Sequence, residues 1–389
     1  MSARSYLDWN ATAPMREEAK AAFAASLSHV GNPSSVHAEG RAARALIEAA
    51  REQVATLVGA QSGNVVFTAS GTEANMLALT PAIETAAEKR PRSRLFLSAI
   101  EHASVRAGGR FPREAIEELP IRPDGRLDLD ALAVAIAKAP RPLVSLMHAN
   151  NETGIIEPVA EAAAIVHAAG GLIHVDAVQA IGRILCDITA LDADLLTLSA
   201  HKIGGAKGAG ALVRGREDIH FSEPLIRGGG QERGLRAGTE NIAGIAAFGA
   251  AAAAALAGRD DEAAHMNRLR NRLETALLAT TPDATVFGRD TVERLPNTTL
   301  FALTGIKAET AVIAFDLEGV ALSSGAACSS GKVQPSHVLA AMGVSAPLQR
   351  GAVRVSLGWN STEADVEKFL TAWRRLASTL SKERRGIAA

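Results

Sequence analysis

Five short apolar runs, each followed at once by clustered polar residues, constrain this chain more than any other feature of its sequence. They are NVVFTA (64–69), RLFLSAI (94–100), PLVSLMHA (142–149), LIHVDA (172–177) and DLLTLSA (194–200). Amphipathic or alanine-rich segments separate them. From about Arg16 to Ala257 the chain therefore reads as βα units around a mainly parallel sheet. One helix is bracketed by Pro158 near its start and Gly170-Gly171 at its end. In an open α/β sheet, ligands bind beyond the carboxyl ends of the strands. The residues that fall there are Ser70-Gly71-Thr72-Glu73, Glu101-His102, Asn150 to Gly154, Asp176 with Gln179, and His201-Lys202. Turn or cap chemistry accounts for any one of these clusters. Five together point to a binding site.

Helical patterns from about Asn241 to Leu278 bridge to a smaller α+β unit. It contains TVFG (285–288), NTTLFAL (297–303), AETAVIAFDLEG (308–319) and VRVSLG (353–358). The most membrane-like stretch, Ile242 to Gly258, is shorter than the ~20 residues a span needs and is mostly alanine. We read it as a packed helix. The N-terminal MSARSYLDWN lacks the apolar core of a signal peptide. The 41 basic and 42 acidic side chains nearly cancel, leaving no global field for a polyanion or an anionic membrane. Neither nucleic acid nor a membrane is expected as a partner.

The polar clusters carry recognisable chemistry. Ser-Gly-Thr-Glu at 70–73 opens a helical pattern, so free N–H groups and the Thr72 hydroxyl would meet a phosphate at a positive helix end. Ser199 and His201 add donors, and Gly204, Gly205, Gly208 and Gly210 permit tight turns beside them. The glycine pattern fits neither a P-loop nor a dinucleotide fingerprint. Lys202 sits at a strand end among small and polar residues, where partial desolvation would lower its pKa and allow a Schiff base. Asp176 offers the acidic partner a pyridinium nitrogen needs. Lysine, acid and phosphate seat together match pyridoxal phosphate. A rival metal pair, His174 with Asp176 on one strand face, has no third ligand at matching spacing, so His174 is expected to be a core histidine.

Only two cysteines occur, too few for a disulfide framework, which suits a reducing compartment such as the cytoplasm. Cys186, between Ile184, Leu185 and Ile188, is expected to be buried and inert. Cys328 lies in SSGAACSSG (323–331), a run without bulky anchors that is expected to form an exposed, mobile loop ending near Pro335. From the residues alone, a reactive and an unreactive Cys328 both remain open.

The ordered set YLDWNATAP (6–14), GNPSSVHAEGR (31–41), TASGTEAN (68–75), EHASV (101–105), HANNETG (148–154), HVDAVQ (174–179), SAHKIGGAKGAGAL (199–212), GGGQERGLRAGTEN (228–241), SSGAACSSG (323–331) and RVSLG (354–358) resembles the cysteine desulfurases of the nitrogen-fixation and iron–sulfur assembly type, within the class V aminotransferase superfamily. The resemblance implies the pyridoxal-phosphate transferase fold, fold type I. That means a large domain over 16–258 with a mainly parallel seven-stranded sheet, and a small α+β domain made of 1–15 and 259–389. It implies that Lys202 holds the cofactor, Asp176 pairs with its ring nitrogen, Gln179 and Asn151 contact ring substituents, and His102 stacks on the ring and shuttles protons. Gly71, Thr72, Ser199 and His201 would hold the phosphate together with Thr239 of a second subunit, hence a homodimer. Arg354 would clamp the L-cysteine carboxylate, with Asn32 and Asn151 nearby. Cys328 would accept the sulfur as a persulfide, pass it to an iron–sulfur scaffold or sulfur carrier, and serve at most as a transient cluster ligand. A selenocysteine lyase or aminotransferase on the same fold, or an idle sulfur carrier, stays open as an alternative. Met76 and Gln334 depart from the common pattern of such enzymes.

Overall fold

The computed structural model describes residues 4–290, 292–325 and 335–387, with the side chains of 379–387 excepted. Its main sheet has seven strands: β1 (Val65–Thr68), β2 (Leu95–Ser98), β3 (Ile116–Leu119), β4 (Leu143–Met147), β5 (Leu172–Asp176), β6 (Leu195–Ser199) and β7 (Gly210–Arg214). Their order is β1-β7-β6-β5-β4-β2-β3. β6, β5, β4, β2 and β3 are parallel, and β7 runs antiparallel to both its neighbours. The carboxyl ends of β1, β2, β4, β5 and β6 consequently share one edge.

The five apolar runs correspond to β1, β2, β4, β5 and β6. In each, every residue of the strand is buried. Two strands were not legible as apolar runs. β3 is IEEL, an edge strand whose adjacent Glu117 and Glu118 point to opposite faces and interrupt the apolar run. β7 starts at Gly210 at the end of a glycine-rich stretch and is fully buried.

The segment expected between Pro158 and Ala169 is the helix Val159–Ala168. Its chain reverses at Gly170, whose φ of 69° favours glycine. Residues Ile242–Thr280 form one unbroken helix, so position 258 falls within it. By length and composition this helix could cross a membrane. Its Ala-rich half, from Gly244 to Ala255, is instead largely buried in the main core, against the helices Glu17–Ser26 and Ala38–Leu57. A Cβ on Gly249 would come within 2.5 Å of Ala50 Cα, so glycine permits that close approach.

The second half of the helix packs on another core that includes Leu7, Leu269, Leu273, Phe301, Phe315, Phe369 and Trp373. There Phe301 meets Trp373 edge-on at 5.1 Å, and Phe315 stacks on Phe369 at 5.1 Å. A four-stranded antiparallel sheet backs this core, in the order Thr285–Val286, Thr298–Ala302, Val353–Ser356, Ser323–Ser324. The N-terminal segment stitches the two regions together. Ser5–Tyr6 pairs with Val320–Ala321, while Arg16 makes a two-point ion pair with Glu262 at 2.7 and 2.6 Å under Trp359.

Candidate active site

The carboxyl edge of the main sheet opens into a cavity of about 250 Å³. Ser70, Gly71 and Thr72 after β1, His102 after β2, Asn151 after β4, Asp176 and Gln179 at β5, and Ser199, His201 and Lys202 at β6 all line it. Five separate polar clusters thus converge on one space, as the strand-end argument expects.

At one end the helix Gly71–Ala78 begins. Ser70 caps it by accepting the Glu73 N–H at 3.1 Å. A Cβ on Gly71 would lie 3.1 Å from Val178 Cγ2 and 3.3 Å from Ser199 Cβ, so the missing side chain keeps this helix start close to β6. Gly210 is tighter still: a Cβ there would sit 2.5 Å from the Ser70 carbonyl carbon. His201, half-buried, contacts the Thr12 hydroxyl at 3.1 Å through Nδ1. Burial, then nearby Lys202, push it down to about 4, so it is a neutral donor–acceptor at neutral pH.

Across the cavity, Asp176 is buried and fixed from two sides. Oδ1 accepts from Val178 N at 3.0 Å and Oδ2 from Asn75 Nδ2 at 2.9 Å. The same Asn75 nitrogen donates to Ser104 Oγ at 2.9 Å, and Ser104 Oγ lies 2.8 Å from His102 Nδ1. His102 Nδ1 also accepts from Ser104 N at 3.2 Å. A neutral His102 therefore carries its proton on Nε2.

Lys202 is partly buried. Its Nζ donates to the carbonyls of Asn10 and of Ala11, the latter at 2.9 Å. Burial, reinforced by the positive charges of Arg354 and Arg183, pushes the amine down to about 7. Gln179 is held by Arg183, which donates to Oε1 at 2.6 Å, and donates in turn to Asn10 O at 3.0 Å.

Further side chains brace these residues from behind. Asn10, almost fully buried, bonds Asn151 O, Thr298 Oγ1 and Asn297 Nδ2 and so links the strand-end cluster to the smaller sheet. Asn75 and Ser104 lie inside motifs that were recognised, but a sequence does not display who bonds whom. Glu101 is wholly buried beneath the site, accepts Met147 N at 2.7 Å and is pushed well above the carboxylate range by burial and by Asp176.

Other expected residues lie elsewhere. Arg354 is buried beside the cavity, not on its wall. It donates to Asn151 O at 2.9 Å and Asp8 Oδ1 at 2.7 Å, while its Nε has no partner among the described residues. Asn32 is exposed, and its side chain accepts Ser34 N at 2.9 Å in a local turn away from the cavity. Thr239 is exposed and also off the cavity of its own chain. Cys328, and the mobile loop expected around it, lie outside the described residues. Cys186 is buried, 3.6 Å from His148 Nδ1, with its thiol pushed up to about 12 by burial. His174 is buried between Ser145 Oγ at 2.8 Å and Thr197 Oγ1 at 2.9 Å, the packed histidine expected. Among the described residues no cluster of three or more potential ligands could hold a metal.

The donor set fits pyridoxal 5′-phosphate. It presents an amine for the aldehyde, a fixed carboxylate for the ring nitrogen, and a helix start with hydroxyl and imidazole donors for the phosphate. Comparison with known proteins agrees. Residues 5–369 match the family described as Aminotransferase class-V. A cysteine desulfurase of Cereibacter sphaeroides is 44% identical over 374 residues, covering 94% of each chain. A NifS-like protein from Rickettsia africae superposes with a TM-score of 0.85 at 33% identity, covering 96% of this chain and 99% of its own. SspA, solved in complex with cysteine, superposes at 0.74 with 26% identity over 92% of this chain and 100% of its own. The chain belongs to the cysteine desulfurases of the class-V aminotransferase family.

Proposed function

We propose that this protein converts L-cysteine to L-alanine and leaves the sulfur on Cys328 as a persulfide. The observation that carries the reading is the Lys202 amine, lowered to about 7 in the same cavity as Asp176 and the 70–72 helix start. Pyridoxal phosphate, when bound, supplies the electron sink that makes the Cα proton of an attached amino acid removable. Lys202 attaches the cofactor and, as a partly neutral amine near pH 7, takes up and returns the Cα proton. Asp176, braced by Asn75 and Val178, faces the ring nitrogen. His102, its Nδ1 occupied by Ser104, presents Nε2–H to the cavity. Gly71, Thr72, Ser199 and His201 take the phosphate.

Arg354 receives the substrate carboxylate. Its Nε–H, without a partner among the described residues, is a buried donor in want of an acceptor, and the fork shared with Asp8 and Asn151 holds the guanidinium in place. The Cys328 thiolate then attacks the substrate sulfur. The carbon–sulfur bond breaks as the sulfur–sulfur bond forms, its electron pair stays on carbon, and a proton completes L-alanine. L-cysteine and one thiol become L-alanine and one persulfide, so no outside oxidant is needed.

A homodimer, with Thr239 reaching the other subunit's phosphate site, is supported by the exposure of Thr239, which does not line its own chain's cavity. An iron–sulfur scaffold or sulfur carrier as acceptor, Cys328 as a transient cluster ligand, and a cytoplasmic location belong to the same reading. A sulfur-bearing thiol must be returned to its reduced form after each delivery. Replacing Cys328 with Ala tests it. Sulfur release from L-cysteine should collapse while the visible cofactor absorption survives. Undiminished release would overturn the role of Cys328.

A further inference from the structure

Glu152 belongs to the HANNETG segment after β4, one residue beyond Asn151 on the cavity wall. Its side chain is almost fully buried, and its Oε2 accepts the Ser336 hydroxyl at 2.5 Å. The same oxygen faces Gly325, where a Cβ would stand 3.6 Å from it and 2.9 Å from Leu300 Cδ1. Gly325 and Ser336 stand on either side of residues 326–335, the stretch that includes Cys328. Both are otherwise anchored. Gly325 N donates to Ala352 O at 3.1 Å, Ser323 and Ser324 pair with Arg354 and Val353, and Ser336 caps the helix His337–Ala341. One carboxylate thus bonds the residue on one side of this stretch and faces the residue on the other.

It also stands next to the substrate end of the site. Arg354 donates to the Asn151 carbonyl, and its positive charge opposes the upward push that burial gives Glu152, which is brought to about 7. Burying an acid costs stability that an apolar side chain of similar size would not. Packing alone does not account for an acid here. Its three neighbours do: Ser336, Gly325 and the Asn151–Arg354 contact.

We propose that Glu152 is a positioning residue for sulfur transfer: by holding Ser336 and facing Gly325 it fixes the two described residues that flank the Cys328 segment, beside Asn151 and Arg354. The proposal rests on Cys328 being the sulfur acceptor. Its consequence is a split between two halves of the reaction. Cofactor attachment and L-cysteine binding depend on Lys202, Asp176 and Arg354, which Glu152 does not replace. Arrival of sulfur on Cys328 depends on the flanking residues that Glu152 holds.

The test uses the cofactor-loaded protein and the variants Glu152→Ala, Glu152→Gln and Ser336→Ala. Three readouts are needed: visible cofactor absorption, its change on adding L-cysteine, and the single-turnover rate of persulfide formation on Cys328 by mass spectrometry. Glu152→Ala should keep the first two within about twofold and slow persulfide formation about tenfold, the loss expected from one buried hydrogen bond to a charged group. Glu152→Gln, which retains an acceptor oxygen for Ser336, should recover most of the rate. Should Glu152→Ala not fold, Ser336→Ala removes the same bond from the other side and should show the same split. Persulfide formation within twofold of the parent overturns the proposal. So does a loss of cofactor absorption in parallel with the persulfide, which would make Glu152 a support of the whole site. Cys328→Ala separates the premises: if it still releases sulfur at the parent rate, the acceptor reading falls and this proposal with it, whereas failure of the Glu152 split alone leaves that reading standing.

Discussion

Asn75 Nδ2 donates to Asp176 Oδ2, 101 residues away, and to Ser104 Oγ, each at 2.9 Å. One amide nitrogen thereby ties the acid at the floor of the site to the chain that fixes the tautomer of His102. A buried hydrogen bond to a charged acceptor contributes about 1.5–3 kcal/mol. Asn75→Ala should therefore weaken retention of pyridoxal phosphate by roughly 10- to 100-fold, measured by loss of visible absorption during dialysis. Ser104→Ala, which leaves the bond to Asp176 intact, should retain cofactor and slow turnover. Equal retention in Asn75→Ala and the parent would contradict the brace.

The Lys202 amine must be neutral to attack an aldehyde. With its pKa lowered to about 7, the rate at which cofactor-free protein recombines with pyridoxal phosphate should rise with pH through about 7 and then level. Arg183 lowers this pKa by its charge. Arg183→Gln should move the midpoint upward, because removing a neighbouring cation favours the ammonium form. A midpoint near the ordinary lysine value in the parent protein would contradict the desolvated site.

Glu157 is buried, accepts Leu127 N at 2.8 Å through Oε2, and is pushed up to about 8 by burial. Its folded pKa lies above the unfolded value, so the native state binds more protons between about pH 4.5 and 8, and stability falls as pH rises through that window. Glu157→Gln should remove this penalty, on the order of a few kcal/mol. The gain should be near zero at pH 4.5 and full at pH 8.5, as read by denaturant unfolding at both. Glu101 and Glu152 share the direction and remain in the variant. A gain of the same size at both pH values would argue against titration as its cause.

Gly210 opens β7 against the helix start, where a Cβ would meet Ser70 and Gly71 backbone atoms at 2.5 to 2.8 Å. Backbone cannot swing aside as a long side chain can. Gly210→Ala should displace the phosphate end and cost about 1–3 kcal/mol of stability, with at least a tenfold loss of cofactor affinity. Unchanged affinity by titration of the visible band would show that the helix start does not depend on this approach.

How much of this was legible in the sequence depends on the range of the interaction. Apolar runs mark β1, β2, β4, β5 and β6 because a strand buried on both faces must be largely apolar along its whole length. Residues placed directly after them, such as Thr72, His102, Asp176 and Lys202, could be assigned to one edge. β3 escaped because its IEEL composition suits an edge strand, and β7 because it begins in a glycine-rich stretch. The supports escaped for another reason. Asn10 meets Lys202, Gln179, Asn151 and Thr298 only through the folded chain, and Asn75 carries no periodicity that marks its two acceptors. The resemblance implies that Asn32 lies near the substrate; within one chain its side chain accepts Ser34 N in a turn and does not line the cavity.

The central claim is that sulfur leaves L-cysteine and arrives on one thiol. Mass spectrometry of peptides containing Cys186 and Cys328, after the loaded protein has turned over L-cysteine without an acceptor, tests it most directly. One added sulfur atom on Cys328, none on the buried Cys186, and an equal amount of L-alanine are expected. L-alanine formed with Cys328 unmodified, or the sulfur found on Cys186, would contradict the account.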